Sequence, residues 1–354
     1  MSAASSWGNL ACGVTRAKMG RAAFETGCSM RQRAVTNSND GVGRAAGRPP
    51  FEFDLRDEAG YARWREWKLS NRIRNDEQLV VRIENIESPS DTELAAIHAC
   101  IERVNLVIYD TGGQLVDKPA LRRFARRFGL ERLDHNLCAD EDAITTLSVS
   151  RAGRKGEYIP YTDRRLNWHT DGYYNPPGRE IRAILMHCER QAAEGGESHL
   201  FDHELVYLLM RDENPDWVRA LMAPDAMTIP PNVVDGREIR GAVTGPVFRV
   251  EPGGRLHMRY SARTRNVIWK DDPDVRAAVA WLQSLWRSGH PWIYHFRLMP
   301  GQGILCNNVL HSRSGFRDDP ETGQTRKLYR ARFHDGVRAI EGIVAEGAED
   351  AVVE

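Results

Sequence analysis

Apolar positions change their rhythm along the chain, and the changes mark its elements. Residues 57–72 carry Tyr61, Trp64, Trp67 and Leu69 among charged neighbours, a spacing that gathers them on one face of a helix. Residues 79–86 read as a short strand. Ser90 or Asp91 then offers a side-chain oxygen to the free N–H groups of a helix over 92–103. Leu106-Val107-Ile108-Tyr109 is a β-type run, and residues 118–128 look helical up to Gly129, a usual helix stop. From Ala143 onward the pattern turns to strands, at 144–149, 181–188 and 198–201, with Gly195-Gly196 as a turn. Residues 202–213 predict a helix that Asn214-Pro215 ends. Residues 247–250 and 256–260 flank Glu251-Pro252-Gly253-Gly254 and predict a hairpin. Val275, Val279, Leu282 and Trp286 recur at helical spacing, so a helix is expected over 271–286, ending by Gly289. Strands at 292–298, 303–309 and 327–334 follow. Many short strands with a few helices laid outside them predict a mainly β fold with helical decoration, a double-sheet jelly roll. Helix 271–286 would be an insertion between two of its strands.

The first fifty residues follow no such rhythm. They are rich in Ala, Gly, Ser and Arg, and only Glu25 and Asp40 are acidic. Residues 1–50 are therefore expected to be a disordered tail, 51–340 one domain, and 341–354 a flexible C-terminal tail. The start has no apolar core like that of a secretory signal; its Arg- and Ser-rich composition loosely resembles a transit peptide, but a plain extension or a misplaced start is the preferred reading. The 49 basic and 49 acidic side chains cancel, which gives no ground for expecting nucleic acid or an anionic membrane as partner. No apolar run approaches the ~20 residues of a membrane helix. The six cysteines (Cys12, Cys28, Cys100, Cys138, Cys188 and Cys306) form no C-x-x-C pair, so reduced thiols in a cytoplasmic protein are expected.

Candidate chemistry centres on Asn167-Trp168-His169-Thr170-Asp171-Gly172. On an extended strand, His169 and Asp171 project to the same side. His311, in Asn307-Asn308-Val309-Leu310-His311-Ser312, is the candidate third ligand, on a β run where Asn307 and Val309 share its face. Two imidazoles and one carboxylate on one triangular face of a metal ion make the facial triad of non-haem Fe(II) oxygenases. The chain has 11 histidines, so the spacing alone is weak and its neighbours must add weight. Arg326, Arg330 and Arg332 alternate along the last strand and share a face if it is regular. A guanidinium fork matches a carboxylate through two parallel hydrogen bonds, although for Arg332 a solvent-facing position stays open. Tyr173 and Tyr174 precede Asn175-Pro176-Pro177, which implies a loop beside the metal stretch. They line the mouth of a pocket or simply pack; rings facing the pocket could hold a cation. His187, His199, His203, His257 and His295 are read as structural.

Together with Gly195-Gly196-Glu197-Ser198 and the run Arg326-Lys327-Leu328-Tyr329-Arg330-Ala331-Arg332, these motifs occur in the order found in a known family. Over residues 75–335 the chain resembles the taurine dioxygenase family, the TauD/TfdA-like branch of Fe(II)/2-oxoglutarate oxygenases that includes the γ-butyrobetaine hydroxylases. The resemblance implies a double-stranded β-helix core. It implies that His169, Asp171 and His311 hold Fe(II) as the catalytic metal, with 2-oxoglutarate and O2 as cosubstrates. Arg326 would grip the distal carboxylate of 2-oxoglutarate, assisted by Ser198 where the family often has threonine. Arg330, with Tyr173 and Tyr174, would face the substrate. Asp171, in place of the small residue of the related halogenases, argues for oxygen insertion or desaturation. The implied reaction oxidises a C–H bond of a small polar metabolite (anionic, zwitterionic or a quaternary amine) and releases succinate and CO2. Two alternatives stay open: an oxygenase of a protein side chain, and a non-catalytic jelly-roll metal-binding protein, which the presence of Arg326 disfavours. A small-molecule substrate is the expected partner, and assembly into a homo-oligomer is left open.

Overall fold

The computed structural model describes residues 48–135, 140–150, 158–263 and 266–338. Most of the expected N-terminal tail and all of the C-terminal tail lie outside these residues. Ten strands build two sheets: β1 (Val80–Arg82), β2 (Leu106–Asp110), β3 (Thr145–Leu147), β4 (Leu166–His169), β5 (Ala183–Arg190), β6 (Ser198–Phe201), β7 (Tyr294–Phe296), β8 (Gln302–Cys306), β9 (Leu310–Arg313) and β10 (Lys327–Phe333). The larger sheet runs β1-β2-β8-β5-β10-β3 and the smaller β7-β6-β9-β4. Only β1 and β2 pair in parallel within these sheets. A cleft between the sheets is lined by Ile184, Met186, Ile304 and Arg330 from the larger and by Ser198, Leu200, His311 and Arg313 from the smaller. Residues two apart on each strand thus point into the cleft, as the pleat requires.

Helices cover the sheets. In α2 (Asp91–Val104), Ser90 and Glu93 form a reciprocal capping box, and Leu94, Ile97, Ile101 and Val104 recur on the face that joins the core of the larger sheet. In α1 (Glu58–Ser70) the side chain of Lys68, 0% exposed, reaches Asp202 and Glu204 at 2.6 Å each. That contact ties α1 to the start of α4 (His203–Glu213). Arg48, at the edge of the expected tail, donates to the same Glu204 through two N–H groups.

Between β6 and β7 the chain leaves the smaller sheet for residues 202–293 and then returns to pair Tyr294 with Leu200. This excursion holds α4, α5 (Pro215–Leu221), α6 (Pro273–Ser288) and several short ribbons around a second apolar core, which Trp64 of α1 and Trp168 of β4 also enter. The insertion expected at 271–286 is therefore only its last helix. The structure also corrects the reading of Asn214-Pro215 as a plain helix stop. Asn214 ends α4 and its side chain accepts from Asp216 N, while Pro215, with no N–H to lose, opens α5. α6 lies behind the smaller sheet: Trp286 stacks on Trp168 of β4 with ring centroids 4.9 Å apart and donates to the Tyr260 hydroxyl at 3.0 Å.

Candidate active site

Strands β4 and β9 bring two histidines together. They are antiparallel neighbours with His311 opposite His169, and the two imidazole centroids lie 4.3 Å apart. Each ring places its Nδ1 on a backbone carbonyl two residues back, His169 on Asn167 O at 2.8 Å and His311 on Val309 O at 2.9 Å. Donation from Nδ1 fixes the tautomer and leaves both Nε2 lone pairs facing outward. Burial, then the neighbouring His169, pushes the His311 imidazole down to about 4, so it is neutral at ordinary pH.

Asp171 completes the group, though not as the strand geometry predicts. β4 ends at His169, and Asp171 lies in the turn that follows, with Gly172 at φ +68°. Asn308 holds this turn in place. It accepts from Asp171 N at 2.8 Å and donates to Asp171 O at 2.9 Å and Ile181 O at 2.6 Å. Asn308 itself has φ +48°, where asparagine is tolerated better than most residues. The expected run 303–309 accordingly stops at Cys306, and His311 belongs to a new strand. Asn308 was visible in the sequence as part of Asn307-Asn308 beside His311, but nothing there assigned its bracing role.

Asp171 Oδ1 lies 3.5 Å from His169 Nε2 and 4.0 Å from His311 Nε2, and the three ligand atoms fall within 4.8 Å of one another. Ligands bound at about 2.1 Å on one face of an ion stand roughly 3 Å apart, so the spacing suits a small divalent cation. Asp171 Oδ2 is buried and makes no hydrogen bond, although the Arg330 guanidinium is 3.2 Å away. Burial pushes this carboxyl up, yet Arg330, the His169 hydrogen bond and Arg332 hold it well below the usual carboxylate range. Two imidazoles oriented through their Nδ1 contacts and a carboxylate with a buried, unbonded oxygen fit the metal that such a triad takes.

Arg326 and Ser198 line the same cleft. Arg326 is 6% exposed, its guanidinium rests on the Phe316 ring at 5.1 Å, and its side chain makes no ion pair among the described residues. Burial pushes its pKa down to about 10. Arg313, not anticipated from the sequence, shares this end: it rests on the same ring at 4.8 Å and donates to Thr162 O at 2.8 Å. A buried guanidinium without an ion pair is costly; Asp318, which accepts from the Arg326 backbone N–H at 2.8 Å, offsets part of that cost through its charge.

Arg330 also lines the cleft but pairs with Asp171 rather than standing free. Arg332, for which a solvent-facing position stayed open, is buried. It pairs with Asp134 and donates to the Tyr174 hydroxyl at 3.0 Å. Tyr173 lies edge-on to His169 at 6.5 Å and to Tyr174 at 5.2 Å, and both rings are half-buried. Arg259, another residue the sequence did not single out, donates from Nε to Tyr173 O at 2.7 Å and from Nη2 to Val243 O at 2.8 Å. Among the remaining histidines, His203 bonds Leu256 O and His199 bonds Ser312 Oγ, and neither joins the metal group.

The model of the family described as "Taurine catabolism dioxygenase TauD, TfdA family" matches residues 71–332, well over half of the chain. The chain belongs to this family of dioxygenases, as the order of its motifs implies. Two relatives are named uridine-5'-phosphate dioxygenase. The one from an Amycolatopsis species is 29% identical over 177 residues, 49% of this chain and 62% of that protein. The one from a Streptomyces species is 28% identical over 207 residues, 52% of this chain and 68% of that protein. The match thus spans less than two thirds of the first. Among solved structures, AAD-2 in complex with Mn(II) and N-oxalylglycine superposes with a TM-score of 0.53 at 14% identity, covering 76% of this chain and 98% of that one. That likeness is one of fold. Among the described residues no helix is long and apolar enough to cross a membrane.

Proposed function

We propose that this protein is an Fe(II)- and 2-oxoglutarate-dependent dioxygenase that oxidises a C–H bond of a small anionic metabolite, working inside a double-stranded β-helix formed by the two facing sheets. One observation carries the reading: His311 of the triad His169, Asp171 and His311 lines the same cleft as the buried guanidinium of Arg326, which makes no ion pair among the described residues. A structural metal site has no use for the second feature. Fe(II) at the triad would supply O2 activation coupled to decarboxylation of 2-oxoglutarate to succinate and CO2.

The chain's own residues supply binding and orientation. Asn167 O and Val309 O keep the imidazoles in the ligating tautomer, and Asn308 keeps Asp171 facing them. Arg326, with the Ser198 hydroxyl beside it, receives the distal carboxylate of 2-oxoglutarate. Ile184, Leu200 and Ile304 form apolar walls that exclude water from the cosubstrate. Arg330, already within reach of Asp171, is placed to take an anionic group of the substrate close to the metal.

For the substrate we favour a nucleoside 5'-phosphate. The names of the two relatives point that way, and Arg330 suits a phosphate. A quaternary amine suits the site less well, because Arg332 and Arg240 surround Tyr174 and repel a cation. The test has two stages. Anaerobic titration of 2-oxoglutarate into the Fe(II) protein should produce a metal-to-cosubstrate charge-transfer band, and no band in folded protein refutes the oxygenase. Uridine 5'-phosphate should then raise succinate release; a band without any such rise refutes the substrate class alone.

A further inference from the structure

A ribbon outside both sheets ends against the tyrosine loop that follows the metal ligands. Residues Asn232–Val234 and Arg237–Arg240 pair with each other and with no third strand. Asp235 and Gly236 both take positive φ (50° and 76°), the backbone of a tight two-residue hairpin. At its base stands Arg240, whose guanidinium lies 5.9 Å from the centre of the Tyr174 ring. Arg240 donates to Gly241 O at 2.6 Å and to Pro230 O at 2.7 Å, which fixes its plane and leaves the other N–H donors unused. It makes no ion pair among the described residues, with Glu238 of the same ribbon included.

Tyr174 is equally fixed. Its hydroxyl accepts from Arg332, which Asp134 holds, and Tyr173 abuts its edge. Arg259 ties the backbone of this tyrosine loop to the strand at Val243–Gly245, just beyond the ribbon. Tyr174 therefore stands two ring contacts from His169, and the planar guanidinium that covers it still has donors to offer. An aromatic face beside free donors is the chemistry that recognises a planar ring bearing keto oxygens.

We propose that Tyr174 and Arg240 form the subsite that reads the base of a nucleoside 5'-phosphate: the base lies against the phenol ring and its keto oxygens accept from the guanidinium. This assignment rests on the nucleoside phosphate reading given above. It places the phosphate near Arg330 and the base at the mouth.

Equilibrium binding to the full chain loaded with Mn(II) and 2-oxoglutarate tests it without turnover. The probes are uridine 5'-phosphate and ribose 5-phosphate, which lacks the base. Loss of one stacked and hydrogen-bonded base should separate the two probes by about tenfold or more in the unaltered protein. Arg240→Ala should weaken uridine 5'-phosphate by about the same factor and move ribose 5-phosphate by less than about twofold, which closes the gap. Arg240→Lys keeps the charge but not the planar fork and should behave like the alanine variant. Tyr174→Phe keeps the ring and should preserve the gap, which covers the case in which Tyr174→Ala fails to fold. Equal weakening of both probes by Arg240→Ala would put the phosphate at this position and overturn the proposal, as would a gap unchanged by Arg240→Ala. If neither probe binds to protein that forms the 2-oxoglutarate band, the subsite and the nucleoside phosphate reading fall together while the oxygenase reading stands.

Discussion

Replacing Arg326 by alanine should uncouple cosubstrate binding from stability. In the structure this arginine is 6% exposed, makes no ion pair among the described residues, and rests on the face of Phe316. If it receives the distal carboxylate of 2-oxoglutarate, the variant loses a bidentate, charge-assisted pair. Each such hydrogen bond is worth about 1.5–3 kcal/mol, so the total is about 3–6 kcal/mol, or roughly two to four orders of magnitude in affinity. Stability should barely respond. The loss of the ring contact costs about 0.5–1 kcal/mol, and removal of a buried charge that has no ion pair offsets it. The assays are titration of the 2-oxoglutarate charge-transfer band and urea unfolding of the metal-free protein. Unchanged cosubstrate affinity would refute the argument. So would a stability loss above about 3 kcal/mol, because that is the cost of breaking a buried pair and would mean that Arg326 serves the fold.

Lys68 offers the opposite case. It is wholly buried between Asp202 and Glu204, and Lys68→Met leaves two carboxylates with Arg48 as the remaining cation against Glu204. Urea unfolding should show a loss of about 3–5 kcal/mol, and a loss below about 1 kcal/mol would refute the role given to this lysine. Mild acid should destabilise the protein through its buried histidines. Burial pushes His187, His257 and His311 each down to about 4, so they stay neutral in the folded state while the unfolded chain takes up protons near 6.5. Stability present at pH 7 is thus lost as pH falls from about 6.5 towards 4, by up to about 1.4 kcal/mol per pH unit for each histidine. Equal unfolding midpoints at pH 7 and pH 5 in metal-free protein would contradict this.

The metal group was legible because its chemistry is compact. His169 and Asp171 are two residues apart, and His311 follows a recognisable apolar run. The sequence missed what holds them. The period-2 rule placed Asp171 on a strand, whereas a turn pinned by Asn308 carries it, and a side chain bridging two distant turns leaves no periodic trace. Alternation put Arg326, Arg330 and Arg332 on one face, but Arg326 precedes β10, whose register shifts between Lys327 and Leu328, and alternation could not separate the environments of the three. One is unpaired, one meets Asp171, and one meets Asp134, because the partners come from other parts of the chain. Helix α5 was hidden by reading proline as an end when, after a capping asparagine, it is also a beginning.

The excursion between β6 and β7 has a consequence for how the molecule can diversify. Its two ends are hydrogen-bonded neighbours, so its length hardly affects closure of the smaller sheet: doubling a flexible connection adds only about 0.6 kcal/mol of closure entropy. It shares its apolar core with Phe53 and Trp64 and with Trp168, Phe201 and Leu310 of the smaller sheet, and it supplies Arg240 and Arg259, while His169 and His311 lie on strands outside it. Growth of its outer ribbons can therefore change what the mouth admits, whereas residues 260–262 bridge β4 at His169 and have to keep their place for the metal-binding strand to stay in register.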